Sequence, residues 1–390
     1  MLSACGTGTD PLPYDPGTAR SPDQTPSSGW SDPPPTPQTD VGCVGSPAVA
    51  SPPAGAEPGA PGTLRYAAAV HGKLVGAALS LEHLGNDATY AQLAADEFSS
   101  VTPENAMKWG FLQPAPGEWD FGAAEAVVAI AETSGQVVKG HALVWHRELP
   151  WFVEAGMSDG DLRSAVKAHI QKTVSHFAGR VHAWDVVNEA VWEDGSLRDT
   201  LFRKQLGPTY VADAFRWAHE ADPKAKLYYN DYGILWGDNP KADGVYALLS
   251  GLVAQGVPVH GIGFQMHIMA PSYLPLSKIQ QNFQRFEALG LTVNVSELDV
   301  RLGQADPSKL EQQAAVYAGI AALCLSVPAC TGITTWGVTD KYSWVNIRYG
   351  GGDAPLLFDA DYQKKPAYES MLETFEEGNT TLPKEPWERH

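Results

Sequence analysis

Basic residues are scarce in this chain of 390 residues, where 27 lysines and arginines face 45 aspartates and glutamates for a formal net charge of -18. A surface of that sign repels nucleic acid and anionic membranes, so no nucleic acid is expected as a partner, and a neutral or sparingly charged one is. No apolar stretch approaches the roughly 20 residues that a membrane span requires. A G-x-S-x-G elbow, the mark of one large class of serine hydrolases, does not occur. The only hint of a dinucleotide fingerprint, Gly261-Ile-Gly263, lacks its third glycine. Cysteines number only four. Aromatic residues are plentiful instead, with 12 tryptophans and 14 tyrosines. Core burial accounts for most of them.

Residues 1–62 differ in kind from the rest, carrying nearly half of the 30 prolines in runs such as Ser31-Asp-Pro-Pro-Pro-Thr-Pro37. Such a segment extends as polyproline II and has too few apolar residues to bury a core, so it reads as a disordered linker. From Thr63 the chain alternates. Short apolar, β-branched runs predict strands at Leu74 to Leu79, Phe98 to Val101, Val137 to Val144, His182 to Val187, Lys226 to Tyr229, His260 to Phe264, Leu291 to Ser296 and Gly332 to Trp336. Helical patterns lie between them, and a last one, Ala367 to Phe375, closes the series. Eight βα units over residues 63–376 predict an α/β fold of the (β/α)8 TIM-barrel type, leaving 377–390 as a tail.

In such a barrel the active site gathers at the C-terminal ends of the strands. Those ends carry Glu104-Asn105 with Lys108-Trp109, His141 with Trp145-His146, Asn188-Glu189, Asn230-Asp231-Tyr232, Gln265-Met266-His267, Glu297 with Asp299, and Trp336 followed by Trp344. Two strands run straight into a glutamate, Glu189 and Glu297. Paired carboxyls among many amides, imidazoles and indoles suit glycoside hydrolysis, which needs two carboxyls flanking the scissile bond and hydrogen bonds to hydroxyls. Aromatic faces at the same ends suit the C–H faces of sugar rings. A metal-dependent barrel hydrolase would place two histidines one residue apart after the first strand, where only His83 stands. His141, His146 and His267 remain conceivable ligands, but no metal or other cofactor is expected.

From about residue 65 to 376 the chain resembles glycoside hydrolase family 10, the barrel endo-β-1,4-xylanases. The likeness rests on the strand-end residues just named, with Trp184-Asp-Val-Val-Asn-Glu189, Ser296-Glu-Leu-Asp299 and Trp336-Gly-Val-Thr-Asp-Lys-Tyr-Ser-Trp344, all in family order. It implies a retaining enzyme acting on xylan and xylo-oligosaccharides, with Glu189 as acid/base and Glu297 as nucleophile. Retention requires carboxyls only about 5 to 5.5 Å apart. Glu189 must begin protonated, so a raised pKa is expected for it in the free enzyme. Asp299, two residues beyond Glu297, would orient His267, which would hydrogen-bond the nucleophile. The alternative for Asp299 is a helix-start carboxylate. Asn188 would meet the sugar 2-hydroxyl, and Gln265 the nucleophile or that hydroxyl. Glu104, Asn105, Lys108, His141, Trp145, Trp336 and Trp344 resemble the glycone-binding set, with Tyr232 on the leaving-group side. Trp109 and Trp119 read as packing. Arg147 and Glu148 depart from the family pattern, as does Ser296 in place of threonine. Rival readings are the same fold acting on another β-glucan or on aryl β-xylosides, and a non-catalytic xylan-binding protein.

Cys324 and Cys330 are placed for a local disulfide, with reduced buried thiols as the alternative, and the pair resembles the family's disulfide. Leu2-Ser-Ala-Cys5 resembles the cleavage box of bacterial lipoproteins, and a proline-rich tether after it would give an anchored enzyme reach. The expectation is therefore a monomer exported to the cell exterior, or lipid-anchored to a bacterial envelope through Cys5. Cys43 has no evident role.

Overall fold

Parallel pairing carries the sheet round into a closed ring. The computed structural model describes residues 55–270, 274–304 and 306–382. Its strands are β1 (Leu74–Leu79), β2 (Ser100–Pro103), β3 (Val137–Gly140), β4 (Val181–Asn188), β5 (Lys226–Asp231), β6 (Gly261–Phe264), β7 (His267–Met269), β8 (Thr292–Arg301) and β9 (Cys330–Thr335). Strands β1 to β6 pair in sequence order, β6 pairs with β8, β8 with β9, and β9 with β1. Eight strands thus close a (β/α)8 barrel, with helices between them. Cys5, Cys43, the proline-rich runs up to residue 54 and the tail from 383 lie outside the described residues.

Three strands differ from their predicted spans in ways that matter to the site. Phe98 ends a helix with its side chain fully buried, and the β2 ladder begins only at Ser100. Strand β3 shifts register between Val138 and Lys139 and leaves its ladder at Gly140, and the chain rejoins β4 through Leu143 N–H to Asp185 O and Val144 N–H to Val186 O, both 3.0 Å. His141 lies between the end of the ladder and those two bonds. Strand β8 continues well beyond Ser296, because the short β7 pairs with its second half, His267 opposite Asp299. The polar residues there hide the strand from a reading based on apolar runs.

Local chemistry fixes the helix that follows β5. Asn239 Oδ1 accepts from the backbone N–H of Lys241 and Ala242, and Pro240 sits in the first turn of the helix Pro240–Ala254. The cap sets Lys241 against the barrel mouth. Inside the barrel, glycine makes room for large neighbours: a Cβ on Gly140 would lie 2.2 Å from the ring of the fully buried Trp184, and one on Gly263 would lie 2.2 Å from Asn230 Oδ1. Gly261 meets Tyr228 in the same way, so Gly261-Ile-Gly263 is a packing device of the barrel wall.

Cys324 and Cys330 are joined as a disulfide, with Cα atoms 5.2 Å apart, tying the helix Pro307–Ser326 to the start of β9. Trp109 is buried and stacks on His169 at 4.5 Å, whereas Trp119 stacks beside Phe121 on the outside of the barrel. Both serve packing. Among the described residues no helix is long and apolar enough to cross a membrane.

Candidate active site

Strand β4 stops at Asn188, and Glu189 turns away with a left-handed φ of 58°. Met266, which follows Gln265, has a φ of 60°. Left-handed backbone at a non-glycine residue costs on the order of 1–3 kcal/mol and persists only where the surroundings impose it. They do so at Glu189. Its N–H donates to Asn230 O at 2.9 Å, and its carbonyl accepts from Arg198 Nε at 3.0 Å.

One hydrogen-bonded chain joins the two glutamates. Gln265 Nε2 donates to Glu189 Oε1 at 3.1 Å and to Asn188 Oδ1 at 3.3 Å. Asn230 Nδ2 donates to the same Asn188 oxygen at 3.0 Å and to Glu297 Oε1 at 2.7 Å. The other oxygen of Glu297 meets His267 Nε2 at 3.2 Å, while His267 Nδ1 meets Asp299 Oδ2 at 2.7 Å. Trp344 Nε1 donates to that Asp299 oxygen at 2.8 Å. Asn188 commits its oxygen to this chain. Asp299 is fully buried on β8, and the next helix is capped by Asp306, so Asp299 is no helix-start carboxylate.

On one side of the glutamates, Lys108 Nζ donates to Asn105 Oδ1 at 2.7 Å and lies 5.0 Å from the centre of the Trp145 ring. His141 pairs with Asp185 at 3.0 Å and presents its ring edge-on to Trp336, centroids 5.2 Å apart. Asp185 also pairs with Lys139 at 2.8 Å. Across the cleft, Tyr232 donates to Glu193 at 2.9 Å and accepts from Arg198 Nη2 at 2.9 Å. The buried Lys241 ammonium sits 3.2 Å from the centre of the Tyr232 ring and 3.1 Å from Asp231. These groups line or support one cleft of about 310 Å³.

The profile of glycosyl hydrolase family 10 matches residues 63–374. The chain belongs to glycosyl hydrolase family 10. Endo-1,4-beta-xylanase B of Thermotoga neapolitana is 41% identical over 291 residues, 74% of this chain and 84% of that protein. An endo-1,4-beta-xylanase of Agaricus bisporus is 39% identical over 304 residues, 77% of this chain and 90% of the other. The crystal structure of native xylanase 10B from Thermotoga maritima matches with a TM-score of 0.78 and 41% identity, covering 81% of this chain and 98% of that one. Xylanase 10B from Thermotoga petrophila, solved with xylobiose, matches with the same TM-score of 0.78, covering 97% of its chain.

Within this family 10 barrel the cleft collects Glu189, Glu297, His267, Asn188, Glu104, Lys108, His141, Trp145, Gln265, Tyr232, Trp336 and Trp344. Asn105 and Asp299 stand behind that lining, attached to Lys108 and His267. Sequence reasoning missed Asn230 as the partner of Glu297, and missed Arg198 and Arg348 on the cleft wall. Asn230 had a signal: it sits in register with Asn188 on the adjacent strand, which sets the two amides side by side. Arg198 follows a tight hairpin whose Asp194-Gly195 turn returns the chain beside Glu189. Arg348 had none. Arg147, noted for departing from the family pattern, also lines the cleft.

Charge in the family 10 cleft is set by competition between burial and partners. Burial opposes a charge on His267, yet Asp299 and Glu297 outweigh it and raise its pKa to about 10. Its ring bridges the two carboxyl groups, which favour its charged form. For Asp185, burial likewise opposes the charge, and Lys139 and His141 prevail to hold its carboxyl below the usual range. Glu189 corrects an expectation. Burial pushes its pKa up, but the charge of His146, the Trp145 and Gln265 side chains and Lys241 together bring it below the ordinary carboxylate value. Among the described residues no cluster of three His, Cys, Asp or Glu side chains is arranged to hold a metal ion.

Proposed function

We propose that this family 10 glycoside hydrolase is an endo-β-1,4-xylanase working by retention, with Glu297 as nucleophile and Glu189 as acid/base. The observation that carries the assignment of roles is the asymmetry between the two carboxyls. Glu297 is held by both oxygens, one accepting from the Asn230 amide and the other against the His267 ring, which fixes the direction in which it would attack. Glu189 accepts from Gln265 and sits beside Tyr232 and Arg198 on the side assigned to the leaving group.

Attack by Glu297 on the anomeric carbon breaks the glycosidic bond as Glu189 gives its proton to the departing oxygen. Water, deprotonated by Glu189, then hydrolyses the glycosyl-enzyme with a second inversion. Sugar filling the cleft excludes water, which favours the neutral acid and offsets the depressed pKa. Asn188 Nδ2 is the donor for the 2-hydroxyl, where hydrogen bonds strengthen in the transition state. Glu104, Asn105, Lys108, His141, Trp145, Trp336 and Trp344 hold the glycone.

The catalytic unit is taken to run from 63 to 376 and to act as a monomer, exported or tethered through Cys5 by the proline-rich segment. Support comes from the Cys324–Cys330 disulfide, a bond that persists in oxidising compartments. Initial rates on xylan should exceed those on carboxymethyl-cellulose, and early-time NMR should show the β-anomer as first product. Preference for the cellulose derivative would remove the substrate, and an α-anomer would remove the mechanism. Mass spectrometry of the protein matured from its native signal should find diacylglycerol on Cys5; an unmodified cysteine removes the anchor.

A further inference from the structure

The loop after Glu189 is built to bring one arginine back to it. Val191 and Leu197 pair as an antiparallel bridge, and Trp192 N–H donates to Ser196 O at 2.7 Å. At the turn, Asp194 Oδ1 accepts from Ser196 N at 2.9 Å, and Gly195 adopts a φ of 86°. That geometry suits Asp-Gly. The tip packs on the helix after β5 so closely that a Cβ on Gly244 would lie 2.2 Å from Gly195 O. Arg198 N–H then donates to Ala190 O at 2.7 Å, closing the hairpin.

Arg198, largely buried, makes three contacts from this position. Its Nε donates to the carbonyl of Glu189 at 3.0 Å, its Nη2 donates to the Tyr232 hydroxyl at 2.9 Å, and its guanidinium lies 4.2 Å from the centre of the Trp192 ring. The planar fork can serve two acceptors in fixed directions, which a lysine cannot. Glu189 needs such a clamp, because its backbone is left-handed at φ 58° and would relax toward an extended or right-handed form if released. Relaxation would swing the carboxyl away from the glycosidic oxygen.

We infer that Arg198 is a positioning residue for proton transfer: it holds the backbone of Glu189 in the conformation that aims its carboxyl, and ties that backbone to Tyr232 on the leaving-group side. The inference rests on the reading of Glu189 as the acid. It predicts a loss that depends on how much the leaving group needs a proton. A residue that only supports the fold or the Tyr232 platform would affect all leaving groups alike.

The test compares kcat/KM, which reports glycosylation, for 2,4-dinitrophenyl and phenyl β-xylobiosides in the wild type, Arg198→Met and Glu189→Ala. Arg198→Met should lose about tenfold or more on the phenyl substrate and less than about threefold on the dinitrophenyl one, whose departure needs little protonation. Equal losses on the two substrates, or no loss on either, overturn the inference. Glu189→Ala should show the same split more strongly. A split in Glu189→Ala without one in Arg198→Met rejects the clamp alone, whereas no split in Glu189→Ala rejects the acid assignment itself and the clamp with it. If Arg198→Met does not fold, Arg198→Lys is read against the same two substrates by the same criteria.

Discussion

His267 and Asp299 form a cross-strand pair, Nδ1 to Oδ2 at 2.7 Å, on the extension where β7 pairs with the outer half of β8. That pairing fixes the ring so that Nε2 meets Glu297 at 3.2 Å. Because Asp299 and Glu297 overcome burial and hold the imidazole pKa near about 10, the sign of its pH effect is determined. A group whose folded pKa is raised contributes stability that is complete below its unfolded value, about 6.5 for histidine, and is lost as pH rises toward the folded value. Urea unfolding at pH 6 and pH 9.5 should show the wild type losing stability across this window. His267→Asn should lose less, the difference amounting to about 1–3 kcal/mol. Parallel loss in the two proteins would show that the imidazole is not held charged.

The two glutamates should separate on aryl substrates. Glu297→Ala removes the proposed nucleophile, so turnover should fall by on the order of 10⁴ or more whatever the leaving group. Glu189→Ala should keep near-normal formation of the glycosyl-enzyme from dinitrophenyl xylobioside, then stall, because water lacks its base. A burst of dinitrophenol followed by slow turnover is the expected trace. No burst from Glu189→Ala, or one from Glu297→Ala, would reverse or remove the roles.

Gln265 donates to Glu189 at 3.1 Å and thereby favours the charged carboxyl, adding to the charge of His146 against the upward push of burial. Removing the donor should raise the pKa of Glu189. As the proposed acid, Glu189 must be protonated to act, so the alkaline limb of kcat/KM, which reports the free enzyme, should move to higher pH in Gln265→Leu. A limb that stays in place or moves to lower pH would mean that Gln265 does not tune the acid.

The barrel was legible because a parallel sheet buried on both faces writes itself as short apolar runs, and seven such runs ending in polar residues announced a mouth. What stayed hidden depends on contacts without a period. Strand β8 goes on for five residues past Ser296 because β7 and the barrel mouth bury Glu297, Leu298 and Asp299, and a charged strand carries no apolar pattern. The position of Arg198 depends on a hairpin only a few residues long. For Glu189 the resemblance implied a chemical requirement, a proton available to the leaving group, but the sequence did not show the local donors that set its charge.

Gly263 offers the sharpest separation of packing from chemistry. Its backbone is ordinary for a strand, so alanine would be tolerated there but for its neighbours: the new Cβ would lie 2.2 Å from Asn230 Oδ1 and 3.1 Å from Ser296 Oγ. Ser296 donates to that Asn230 oxygen at 2.6 Å, which locks the amide so that Nδ2 reaches Glu297. Gly263→Ala must displace the amide, costing about 1–3 kcal/mol of stability by overpacking. It should also lower kcat about tenfold or more by loosening the nucleophile, since small misplacements of positioned groups are expensive. Asn230→Ala deletes the displaced group and frees the space. The double variant should therefore be more stable than Gly263→Ala, with a kcat no lower than that of Asn230→Ala, a coupling expected of residues in contact. Independent, additive effects of the two substitutions on stability and kcat would show that Gly263 does not act through Asn230.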